Sequence, residues 1–122
     1  GEAEAREFFE RALSIEPTYA RAYAGLSLSH FNDWTCQRWN QWEEGERLAF
    51  EYACKAEELD ETDHVVQAVL GRIQVYRRNF GQGRRHLERM LALSPNDADT
   101  LMQTAIYFGF LGETERSVEM VE

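Results

Sequence analysis

Proline is nearly missing from these 122 residues, with Pro17 and Pro95 the two present. The eight glycines sit mostly near turns. No flexible linker or low-complexity stretch is left, and the chain reads as one domain over 1–122. Cysteine is equally scarce. Cys36 and Cys54 form neither a CxxC pair nor a disulfide framework, each falls in or beside a predicted helix, and they read as two reduced thiols. No apolar run approaches the roughly 20 residues that span a bilayer, and no basic-then-apolar amino terminus marks a signal peptide. The chain reads as cytoplasmic, without membrane association. Positive charge is also short: 13 Lys and Arg against 22 Asp and Glu leave a net −9. That is the wrong sign for a general nucleic-acid or anionic-membrane binder, which needs a positive field.

The chemistry of a catalyst is missing as well. His30, His64 and His86 stand in neither HExxH nor any other ligand spacing, and no glycine-rich loop follows a strand because no strand is predicted. The expectation is therefore no catalytic residue, no cofactor and no metal. What remains is a core-forming composition, 43% hydrophobic, which suffices for one continuous core.

That hydrophobicity is distributed in a rhythm. Ala5, Phe9, Ala12 and Pro17 follow one another at steps of four, three and five. The same frame returns as Gly83, Leu87, Met90 and Pro95, and in a degenerate copy as Ala49, Ala53, Ala56 and Glu61. Ala49 to Gly83, Gly83 to Ser117 and Gln67 to Leu101 are each 34 residues apart, whereas Leu26–Ser27 and Leu70–Gly71 are 44 apart. Ten extra residues therefore lie in one repeat, near 32–42. Apolar positions at helical spacing predict helices over about 2–15, 19–31 and 42–59, from a cap at Thr62 or Asp63 to about 76, and over 82–93, 98–110 and 114–122. Pro17 stops the first helix. Thr62 or Asp63 caps the fourth.

These residues resemble the tetratricopeptide repeat family over essentially the whole chain. The resemblance implies an all-α, right-handed α-solenoid of antiparallel helix pairs, about three repeats with one ten-residue insertion. Residues 1–17 would be the second helix of a truncated repeat, 18–61 the repeat with the insertion, 62–95 a standard repeat and 96–122 an incomplete one. The segment from Tyr19 to Ser27, followed by Asp33–Trp34, is more loosely similar to the carboxy-terminal repeat regions of bacterial adenylate/guanylate cyclases and transcriptional regulators. No cyclase motif or DNA-reading helix lies in these residues, so such an activity would belong to another part of a parent chain.

In this family the first helix of each pair lines a groove that holds a peptide or helix of a partner. Carried across, the groove residues are Arg21, Leu28, Asn32, Arg72, Tyr76, Met102, Ile106 and Phe110, with Tyr76, Phe110 and Arg72 the strongest contacts. Leu28, Met102 and Ile106 read equally well as filler against a neighbouring helix. The positions with which some members clamp a terminal carboxylate hold Ala24, Leu28, Val69, Asp99 and Gln103, which cannot supply the clamp. His30 stands where the family usually has tyrosine and reads as a packed residue rather than a base. The implied function is a protein-interaction or regulatory module, its partner a protein or peptide, in trans or within its own chain. The alternatives are a structural or oligomerisation segment, or a non-catalytic region of a nucleotide cyclase.

Three features stand outside that frame. Trp34, Trp39 and Trp42 cluster in the insertion; they either hold a lengthened hairpin together or offer Trp39 as an interface anchor. Six arginines and His86 between Arg72 and Arg89 face a single Glu88, which reads as a solvated helix face or as a patch for an acidic partner. Phe8, Phe9, Val118 and Val121 are expected at uncapped ends of the stack, where they would drive self-association.

Overall fold

The computed structural model describes residues 2–35 and 42–96. Among them it is all helix: α1 (Glu2–Ile15), α2 (Ala20–Thr35), α3 (Trp42–Leu59), α4 (His64–Tyr76) and α5 (Phe80–Leu93). The expected bounds of α1 and α3 coincide with the observed ones, and α5 begins two residues early. The helices expected over 98–110 and 114–122, with Val118 and Val121, lie outside the described residues. The main difference is α2, which continues four residues past Phe31 to Thr35. Its last turn is held by the ring contacts of Trp34 described below.

Each helix packs on the next, and α2 also packs beside α4. The α3 helix fits between its neighbours through a row of alanines. Ala49, Ala53 and Ala56 are completely or almost completely buried, at the steps of four and three that place them on one helical face. Small side chains there let backbones approach closely. Ala20, Ala24 and Phe31 from α2 and Val66, Val69, Leu70 and Ile73 from α4 complete this core. A second cluster, Val75, Leu87 and Met90, joins α4 to α5.

Two contacts mark where paired helices cross. Between α4 and α5, Gly71 and Gly83 face each other so closely that a Cβ on Gly71 would stand 2.8 Å from Leu87 Cγ and Cδ2, and one on Gly83 would stand 2.9 Å from Val75 Cγ2. Between α2 and α3, the hydroxyl of buried Ser27 donates to the carbonyl oxygen of Ala49 at 2.6 Å. Ser27 and Ala49 are the residues that the 44- and 34-residue steps pair with Gly71 and Gly83.

The ends of α4 follow from local chemistry. Asp63 is extended at its amino terminus, and its Oδ1 accepts the Val65 N–H at 2.9 Å, so Asp63 is the cap. Just before it, Asp60 Oδ1 accepts from both the N–H and the hydroxyl of Thr62, which holds the Asp60 carboxyl below its ordinary range. At the other end Asn79 N–H bonds Gln74 O and Arg78 N–H bonds Val75 O, the pattern of a Schellman stop with Arg78 at the left-handed position, φ 63°. Glycine fits that conformation without a Cβ penalty. Exposed Arg78 should therefore be improved by Arg78→Gly, with a gain of about 0.5–1 kcal/mol. Urea denaturation would show it as a higher midpoint; an unchanged or lower midpoint would mean that the Arg78 side chain contributes more than its backbone strain costs.

Candidate functional site

The face shared by α2 and α4 is bracketed by two interactions. At their amino-terminal ends, Arg21 Nε donates to Asp63 Oδ2 at 2.7 Å. This contact raises the Arg21 guanidinium above its ordinary value through the hydrogen bond and the Asp63 charge. It also fastens α2 to the residue that caps α4. At their carboxy-terminal ends, Tyr76 meets Phe31 edge-on with ring centroids 5.0 Å apart, and Trp34 at 6.1 Å. Phe31 and Trp34, three residues apart on α2, meet edge-on at 5.6 Å. Start is joined to start and end to end, so α2 and α4 run side by side in the same direction.

The three rings differ in exposure, and that gives the site its character. Phe31 is buried, Trp34 half-buried, and Tyr76 keeps 51% of its surface exposed. Edge-to-face packing of this kind contributes about 0.5–1.5 kcal/mol per pair beyond the area buried. It holds an exposed phenol ring in a fixed orientation. A rigid aromatic surface loses little conformational entropy when something docks on it.

The residues read from the sequence separate accordingly. Arg21, Asn32 and Tyr76 are exposed along this face, and Arg72 is half-buried on α4. Leu28 packs against the core. Met102, Ile106, Phe110 and Trp39 lie outside the described residues. Trp34 is where the sequence reading missed a site residue: it lies in the last turn of α2. The signal available was its three-residue spacing from Phe31, but only the approach of Tyr76 gives that spacing a meaning.

The arginine-rich stretch does not form one patch. Arg77 lies over the Phe50 ring, 4.0 Å from its centroid, and Arg77 Nε bonds Glu46 at 3.3 Å, while Arg85 bonds Gln82 within its own helix. His30 stacks on Tyr52 at 5.6 Å, and Tyr52 on Tyr23 at 6.1 Å, a packing role. Phe9 is half-buried with its ring set against Gly25, whereas Phe8 is 68% exposed. Phe8 meets the fold through the edge of the Phe9 ring, with centroids 5.5 Å apart. Cys54 is a half-buried free thiol, pushed up chiefly by burial and further by Glu57, so its reactive thiolate form is disfavoured. Cys36 lies outside the described residues.

Among the described residues no group of three or more His, Cys, Asp or Glu could hold a metal ion. No helix among them is long and apolar enough to cross a membrane. The chain matches no protein-family model and no curated protein.

Proposed function

We propose that this chain is a tetratricopeptide-like stack of helix hairpins that binds a peptide or helix of another protein along the face shared by α2 and α4. The observation that carries the reading is the same-direction alignment of these two helices, tied by Arg21–Asp63 at one end and by Tyr76 against Phe31 and Trp34 at the other. Paired hairpins must stack in that way to line a common groove. The equivalent crossings at Ser27–Ala49 and Gly71–Gly83 support the repeat register. In this reading the chain is a non-catalytic interaction module of a cytoplasmic bacterial signalling protein, taking up a partner helix whose apolar side chain covers Tyr76.

Selection from a displayed peptide library, followed by affinity measurement by fluorescence anisotropy, tests this. Selected peptides should lose at least tenfold in affinity with Tyr76→Ala, and should be indifferent to Phe8→Ala on the opposite end of the chain. Failure to select any peptide, or affinities untouched by Tyr76→Ala, would remove the reading. The competing role as an oligomerisation segment draws on Phe8 and Ile15, seven residues apart on α1 and 68% and 81% exposed. A molar mass that stays monomeric across a concentration series in light scattering would dismiss it.

A further inference from the structure

A polar cleft of about 280 Å³ lies away from the α2–α4 face, lined by Glu57, Glu61, Gln67, Arg85, His86 and Arg89. Its two sides carry opposite charge. Glu57 lies in the last turn of α3 and Glu61 just beyond its end, while Arg85 and Arg89 stand one turn apart on α5. Opposite charges in one cleft ordinarily close on each other, yet no ion pair joins these two sides. Among the described residues, no hydrogen bond or ion pair reaches the Glu61 carboxylate or the Arg89 guanidinium. Arg85 is satisfied by Gln82 Oε1 at 3.0 and 2.7 Å.

The base of the cleft is built, not incidental. Gln67 and His86 are 2% and 5% exposed, and such buried polar groups persist only when bonded. Gln67 Nε2 donates to Glu57 Oε2 at 3.1 Å and to the Glu61 carbonyl at 2.9 Å. Both its protons are thereby used, so its Oε1 must accept from His86 Nδ1–H, at 2.7 Å. The amide orientation and the imidazole tautomer are both fixed, with Nε2 left as the acceptor nitrogen. The same contacts hold Glu57 and Glu61 at the rim.

We propose that this cleft binds a small zwitterion, an α-amino acid, with its ammonium toward Glu57 and Glu61 and its carboxylate toward Arg85 and Arg89. The choice follows from charge and size. A phosphate or other multivalent anion is repelled by the two glutamates, and a polyamine or metal cation by the two arginines. A ligand with one charge of each sign satisfies both sides, and arginine offers a carboxylate two parallel donors. The volume of about 280 Å³ falls just below the roughly 300–1,000 Å³ of drug-sized ligand sites, a size that suits a free amino acid.

Titration of the isotope-labelled chain with each of the twenty L-amino acids, followed by ¹H–¹⁵N NMR, tests the proposal. At least one should shift the Gln67 side-chain amide and the His86 backbone amide saturably. Propylamine and propionate, each carrying one of the two charges, should not. Glu61→Gln and Arg89→Gln alter only exposed side chains without partners, so the fold and its spectrum persist; each should weaken the binding at least tenfold. Absence of saturable shifts from all twenty, equal shifts from propionate or propylamine, or binding unchanged in both variants would overturn it.

Discussion

Leu87→Ala should lower the stability of this chain by about 2–5 kcal/mol, a large part of the roughly 5–15 kcal/mol that holds a domain of this kind together. Leu87 is 1% exposed and fills the contact between α4 and α5 with Val75 and Met90. Its Cγ and Cδ2 occupy the space that a Cβ on Gly71 would need. The crossing is therefore a matched pair, a large residue against the absence of one. Truncation leaves a cavity that the helices close only in part. Thermal unfolding should shift downward by about 10 °C or more.

The match can be tested by reciprocity. In the native background Gly71→Ala forces a contact at 2.8 Å, and overpacking of about 1–3 kcal/mol outweighs the gain of about 1 kcal/mol from replacing a mid-helix glycine. In the Leu87→Ala background the colliding atoms are gone, and the same substitution should stabilise. A Gly71→Ala effect of the same sign and size in both backgrounds would show that the two positions are not coupled, and the crossing would have to be described differently.

The second large effect concerns the buried pair Gln67–His86. Gln67→Leu should cost about 1–3 kcal/mol, because the buried His86 Nδ1–H loses the acceptor that stands 2.7 Å away. Adding His86→Leu removes the orphaned donor and should recover most of the loss, since replacing both partners by apolar groups of similar size is nearly neutral. A double variant as unstable as the single one would mean that Gln67 acts mainly through Glu57 and the Glu61 carbonyl.

The same pair makes stability depend on pH. Burial lowers the His86 pKa below its ordinary value; the nearby Glu57 carboxylate from α3, 3.6 Å from Nδ1, opposes this, and Arg85 on α5 adds to it. Gln67 from α4 contributes a neutral amide. The folded protein therefore releases this proton more readily than the unfolded chain, so the contribution is fully present above about pH 6.5, the ordinary histidine value. It is lost as the pH falls from there toward the lowered value of the folded state. Urea midpoints at pH 7.5 and 5.5 should accordingly fall for the native chain, and fall less for the Gln67→Leu, His86→Leu variant. Equal decreases in both would assign the pH dependence to other groups.

Much of the molecule was legible from the order of its residues. Apolar spacing and stop signals are local, and they marked α1 and α3 at their observed bounds and placed Asp63 among the candidate caps of α4. The 34- and 44-residue steps led to Ser27, Ala49, Gly71 and Gly83, the residues at the two helix crossings, because close backbone approach requires small side chains wherever it occurs. The all-helical class followed from composition and period alone. Only tertiary structure decided what depends on helices that are not neighbours in sequence. It extended α2 to Thr35, brought Trp34 and Phe31 to Tyr76, turned Arg77 onto Phe50, and left Phe8 outside while Phe9 packed on Gly25. It also locked Gln67 and His86 together beneath two charged sides that do not close. Helical periodicity states which residues share a face; which face meets which, and whether opposite charges come close enough to pair, is settled by how the packed helices are placed.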